Sequence, residues 1–180
     1  MNGLEIKRRI KSALSEVLNN DKYLLQKDIH ERTIAHKLAT YLQSKFKDYH
    51  VDVEYNGNIL REDGKKRIKA LKSELRALGR LRGEEQNIEE ETIERDVYPD
   101  IIIHKRGTPE NLCIIEIKKS TSKESCDYDK LKLKYYTSRD TITEIDPENY
   151  LKYELGIFIK FSTKIPKPTY NLNLTSPVNL

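Results

Sequence analysis

The sequence predicts one α/β domain with a mixed sheet, and three observations carry that prediction. Apolar positions recur at helical spacing in the N-terminal third, β-branched runs follow in pairs, and an apolar run, Leu155 to Phe161, comes after a last helical stretch. Short strands alternating with helical patterns imply helices laid on the faces of a sheet. With 180 residues there is enough chain for a single core of useful size.

Composition narrows the classes. Hydrophobic residues make up 37% and charged residues 34%, so the surface is strongly solvated. No apolar run approaches the roughly 20 residues of a membrane span, and the N-terminus lacks a signal-peptide pattern. Cys113 falls inside an apolar run and Cys126 in a polar one. Both read as free thiols of a reducing compartment, which together with the missing signal implies a cytoplasmic protein without a membrane partner. No Cys/His cluster has zinc spacing, and a net charge of +4 is mild.

The first helix is expected over 3–18, where Ile6, Ile10, Ala13, Leu14, Val17 and Leu18 keep one face, and Asn19, Asn20 and Asp21 end it. A second helix is expected over 29–46 with Ile34, Ala35, Leu38, Tyr41 and Leu42 inward. Asp28 is placed to cap it, and Glu31 three residues later completes a capping box. Glu31 also shares the face of Ala35, Leu38 and Leu42, so its carboxylate can serve the core side as well.

His50 to Tyr55 alternates, with Val51, Val53 and Tyr55 on one face of a first strand. A charged insert, 61–96, follows. Between Lys65 and Arg82 stand eight Lys or Arg against one acid, Glu74, and Ile68, Leu71, Leu75 and Leu78 give a thin stripe that predicts a helix over the sheet. From Glu84 to Asp96 the sign reverses. Opposite blocks side by side imply mutual neutralisation, or else a basic flap in which Lys65, Lys66 and Arg67 grip phosphates.

Val97 to Ser120 holds the chemistry. Two β-branched runs, Val-Tyr-Pro-Asp-Ile-Ile-Ile-His and Asn-Leu-Cys-Ile-Ile-Glu-Ile-Lys-Lys, flank Lys-Arg-Gly-Thr-Pro-Glu, a hairpin with a loop longer than two residues. Strand alternation puts Glu116 and Lys118 on one face, with Cys113, Ile115 and Ile117 on the other. A hairpin centred near Thr108 sets Asp100 opposite Glu116, with β-carbons about 4.5–5.5 Å apart. Two carboxylates beside a backbone carbonyl suit a hard cation such as Mg²⁺, and a lysine next to that ion can stabilise a phosphate in transfer. His104 shares the Asp100 face and either reaches the scissile phosphate or sits at the hairpin rim, the rim being the favoured place.

These residues resemble the PD-(D/E)XK nuclease superfamily, also called restriction-endonuclease-like: Pro99-Asp100 on one strand, then Glu116-Ile117-Lys118 on the next. The resemblance implies an αβββαβ core with a mixed central sheet flanked by helices, spanning about 29–161. It implies that Asp100 and Glu116 hold Mg²⁺ or Mn²⁺, that the Ile117 carbonyl completes the coordination, and that Lys118 is the catalytic lysine. Glu31, in Glu-Arg-Thr-Ile-Ala-His-Lys-Leu, is similar to a glutamate the family carries on the helix before the sheet. The implied activity is hydrolysis of phosphodiester bonds in nucleic acid, with DNA as the commonest substrate.

Beyond the hairpin, a helix is expected over 127–137 with Tyr128, Leu131 and Tyr135 on one face and Lys130 and Lys134 adjacent at i, i+4. Those two lysines either touch phosphates or are simply solvated. Residues 140–150 are turn-rich, 155–161 read as a buried last strand, and the 162–180 tail shows no core pattern, wrapping the domain or joining a homodimer. A catalytically inactive binding module of the same fold is the other reading of the chain.

Overall fold

The computed structural model describes residues 1–138 and 151–175. Helix α1 (Gly3–Asn20) starts where Asn2 accepts the Glu5 N–H, and it buries Ile6, Ile10, Ala13, Leu14 and Val17. A five-residue helix, α2 (Lys22–Gln26), follows at once. Helix α3 (Glu31–Lys45) buries Ile34, Ala35, Leu38, Ala39 and Leu42. Its cap is His30, whose Nδ1 accepts the Arg32 N–H at 3.3 Å. Asp28 does not cap it, because its φ of 56° turns the chain before the helix begins.

Five strands form the main sheet in the order β1 (His50–Val53), β4 (Ile101–His104), β5 (Asn111–Lys119), β6 (Leu155–Phe161), β7 (Tyr170–Thr175). The β5–β6 pair is parallel and the other pairs are antiparallel, so the sheet is mixed. A parallel pair needs a long crossover, and this one carries helix α5 (Asp127–Thr137). Ile101, Ile103, Ile115, Ile117, Ile157 and Ile159 face α1 and α3 in one buried cluster. Ile102, Ile114 and Phe158 point the other way, onto Leu131, Leu133 and Tyr136 of α5. Each such side chain, fully buried, stabilises by about 1.5–3 kcal/mol relative to exposure. The sequence therefore predicts the α/β class with helices on both faces of a mixed sheet, and this is the architecture observed. No helix among the described residues is long and apolar enough to cross a membrane.

The charged insert differs from its expected helix. Residues 67–71 form strand β2 (Arg67–Leu71), Lys72–Ala77 is helical, as α4, and Glu84–Asn87 makes a short 3₁₀ turn. Strand β3 (Thr92–Asp96) pairs antiparallel with β2 in a separate two-stranded sheet. The physical reason lies in the spacing: Ile68 and Ala70 are buried while Arg67, Lys69 and Leu71 are only partly covered, which is period two. The opposite charges meet across this sheet, with Arg67 Nε 2.6 Å from Asp96 Oδ1 and Lys69 opposite Glu94. Glu85 and Arg95 form a buried ion pair beneath it.

Two smaller corrections concern strand ends. Strand β1 stops at Val53, Glu54 takes a φ of 51°, and Tyr55 joins the α5-side cluster rather than the face of Val51 and Val53. The tail contributes β7, an edge strand along β6 with Tyr170 and Leu172 on the α1 and α3 side. The turn-rich reading of 140–150 lies outside the described residues.

Candidate functional site

Strands β4 and β5 pair Ile101 with Ile115 and Ile102 with Ile114, a register that continued by one residue sets Asp100 opposite Glu116. A bulge between Ile103 and His104 shifts the pairing only towards the turn, away from these carboxylates. Asp100 lies just before β4, and its Oδ2 accepts the Ile117 N–H at 2.6 Å. That bond ties the acid across to β5. Ile117 itself buries its side chain in the α1 and α3 cluster, so only its backbone can serve the site.

Glu116 is 2% exposed. Burial pushes its carboxyl up to about 8, with the nearby Lys132 ammonium opposing that rise and the Asp100 carboxylate adding to it. Asp100 is pushed up to about 6 by burial, against the pull of the Ile117 amide and Lys132. Glu116 Oε2 lies 2.9 Å from Lys132 Nζ, while Oε1 is buried with no hydrogen-bond partner. A native protein rarely leaves such an oxygen unsatisfied without a reason.

Helix α5 supplies two residues that sequence reasoning passed over. Lys132 Nζ also lies 3.0 Å from Asp129 Oδ1, and Lys118 Nζ lies 3.1 Å from Asp129 Oδ2. The second contact is close enough for charge attraction, yet Asp129 Oδ2 has no directed hydrogen bond. Burial works against the charge on both lysines, but Glu116 and Asp129 outweigh it at Lys132, and Asp129 does so at Lys118. The two ammoniums thus stay protonated and meet at Asp129 of α5, with Lys132 reaching on to Glu116 of β5.

A signal for the missed pair existed. Asp129 and Lys132 sit at i, i+3, and with Leu133 and Tyr136 they make the stripe that faces the sheet. The apparent stripe of Tyr128, Leu131 and Tyr135 is offset from it, and that drew attention to Lys130 and Lys134 instead. Lys130 is exposed and 3.5 Å from Asp127, and Lys134 pairs with Glu74 at 2.9 Å.

Glu31 reaches the far end of β5, where its Oε1 accepts the Lys119 N–H at 2.8 Å. It therefore stands near the Lys118 end of the strand. Lys65 is exposed, Lys66 is buried among tyrosines, and Arg67 is held by Asp63, Glu94 and Asp96. The structure does not gather these three into a phosphate-gripping flap. His104 is a buried rim residue, its Nε2 2.8 Å from Asp52 Oδ2. Four residues along the strand from Asp100, it is roughly 13 Å from the carboxylate pair.

Among the described residues no three His, Cys, Asp or Glu side chains converge as ligands for a metal ion. The donor set is a pair, half-buried Asp100 and buried Glu116, with Glu116 Oε1 unsatisfied. Mg²⁺ is commonly bound through one or two carboxylates plus waters and substrate phosphates, so a pair is sufficient.

No protein-family model matches the chain, and no curated protein matches it. The crystal structure of SSO0001 is similar over 97% of this chain and 78% of that one, with 14% identity and a TM-score of 0.36. That likeness is too loose to carry an argument about either fold or activity.

Proposed function

We propose that this chain is a restriction-endonuclease-like, metal-dependent nuclease that hydrolyses phosphodiester bonds, DNA being the favoured substrate. The observation that carries the reading is the opposed pair Asp100 and Glu116, with Lys118 two residues on and Glu116 Oε1 buried without a partner. Asp100 and Glu116, with the backbone at Ile117, would hold Mg²⁺ or Mn²⁺, which when bound supplies an acidified water and charge stabilisation at phosphorus.

The chain's own groups prepare that site. The Ile117 N–H orients Asp100, and dehydration keeps both carboxyls short of the full charge they would carry in water. Glu116, pushed up to about 8, is therefore poised to release its proton when a cation arrives. Lys118 offers its ammonium to the negative charge that builds on the phosphoryl oxygens. Glu31 fixes the end of the strand on which Lys118 stands. Asp129 draws Lys118 and Lys132 together, and Lys132 balances Glu116 meanwhile.

A second reading, a nucleic-acid-binding or protein-interaction module without turnover, takes support from those same lysines. Both are engaged by Asp129, which an inert ion-pair network would also require. The deciding experiment combines metal calorimetry with cleavage of supercoiled DNA, single-stranded DNA and RNA, for wild type, Asp100→Asn and Lys118→Met. The nuclease reading expects chelator-sensitive cleavage that both variants lose, and metal binding that Asp100→Asn loses. A folded wild type that binds neither metal at millimolar levels, even with an oligonucleotide present, establishes the inert module instead.

A further inference from the structure

A cavity lies at the other end of the sheet from the carboxylate pair, between the β1–β2 loop, the β4–β5 turn and residues 151–152. Its volume is about 100 Å³. By the same measure one water needs roughly 15 Å³, so this is room for a small polyatomic ion with water. Tyr55, Lys66, His104, Asn111 and Lys152 are among its polar lining residues. No Asp or Glu stands among the described residues that line it.

Lys66 is the unusual member. It is 2% exposed, yet its Nζ meets only neutral groups: the Tyr153 hydroxyl at 2.9 Å and the Tyr55 carbonyl at 3.4 Å. The Tyr55 and Tyr153 rings flank it, each centroid 5.4 Å away. Two ring faces favour a cation but do not neutralise it. Asp52, whose charge favours the Lys66 ammonium from outside the cavity, is already held by Arg106 and by His104. A buried ammonium hydrogen-bonded only to neutral groups is costly, and among the described residues its cavity wall carries no carboxylate, so an anion seated there would be its direct partner.

We propose that this cavity binds a small tetrahedral oxyanion, phosphate or a terminal phosphate of a nucleotide chain, with the Lys66 ammonium as its principal partner. The proposal stands independently of the nuclease reading, since the cavity shares no residue with the Asp100 and Glu116 pair. Burial holds Lys66 down to about 8, so bound phosphate also raises the proton affinity of this amine.

The test titrates inorganic phosphate into wild type and Lys66→Met by calorimetry, with melting temperature as a second readout. Wild type should bind and gain stability, and the methionine variant should bind about tenfold or more weakly, the size of one charge-assisted hydrogen bond. A 5′-phosphorylated trinucleotide and its unphosphorylated twin, run in parallel, separate the two sources of phosphate. Binding of inorganic phosphate alone assigns the free ion, and a preference for the phosphorylated trinucleotide that Lys66→Met abolishes assigns the chain terminus. Should Lys66→Met not fold, the ε-CH₂ resonance of Lys66 in the wild type replaces it, and must move on adding phosphate. No response of the wild type to either probe, or an equal response in the variant, overturns the proposal.

Discussion

Replacing Glu116 with glutamine should stabilise the metal-free protein, and by more as the pH rises. The folded state keeps the Glu116 proton up to about 8, whereas the unfolded chain releases it near 4.5. Between those values the folded state binds more protons, so stability is complete below the lower one and falls as pH climbs towards the upper. At pH 7 the gap is about 2.5 pH steps at ~1.4 kcal/mol each, or about 3 kcal/mol. For a chain of this length that is roughly 6–12 °C in melting temperature. Glutamine keeps an oxygen for Lys132 Nζ, now 2.9 Å from Glu116 Oε2, and removes the charge that desolvation opposes. Asp100 titrates in the same direction, from 3.8 up to about 6, so the measurement is the difference between variant and wild type, in which its contribution largely cancels. Thermal and urea melts at pH 5, 7 and 8.5, in chelator, give that difference directly. The variant should equal wild type near pH 5 and exceed it from neutrality upward, and Mg²⁺ should then close the gap by stabilising wild type alone. A variant less stable than wild type at pH 8.5, or a gap independent of pH, would refute the desolvated-carboxylate account.

Removing the cation should act in the opposite sense. Lys132→Met leaves Glu116 and Asp129 without the ammonium now 2.9 and 3.0 Å away, and should lose about 3–5 kcal/mol at pH 8.5 in urea unfolding. The loss should shrink at pH 5, where Glu116 already carries a proton, and a pH-independent loss would show packing to be the cause. In the insert, Arg95→Met strands buried Glu85 and should cost about 3–5 kcal/mol by the same assay. Adding Glu85→Gln should restore part of it, and a single variant within about 0.5 kcal/mol of wild type would contradict the pairing.

Legibility in the sequence followed the strength of the local pattern. Helix α5 and strand β6 occupy the expected residues, 127–137 and 155–161, because each is bounded by polar segments and carries a single period. The Asp100–Glu116 opposition was legible from the turn, since a hairpin centred near Thr108 sets 100 against 116, whereas strands buried on both faces do not fix a register by pattern alone. The insert was not, since Ile68, Leu71, Leu75 and Leu78 suit a helix while Ile68 and Ala70 suit a strand, and only pairing with β3 decides. Strand β7 escaped because edge residues such as Asn171 and Asn173 need no apolar face. Asp129 and Lys132 escaped for a different reason. Charged residues on a helix are ordinarily solvated, and their burial is a property of what the helix docks against.

Strand β6 reaches β5 only through the 120–154 crossover, and that separates two events in time. The β4–β5 hairpin is local and can close within about 1–10 μs, before distant segments arrive. Asp100 and Glu116 then meet while water still surrounds them, and repel each other only weakly. Helix α5 brings Lys132 and removes the water together, so the whole electrostatic contest falls on a late docking step. Ionising Glu116 should therefore leave hairpin closure untouched while slowing docking and hastening release of α5. Alkaline solution would therefore loosen the seat of α5 on the sheet and open the acidic patch beneath it to solvent cations.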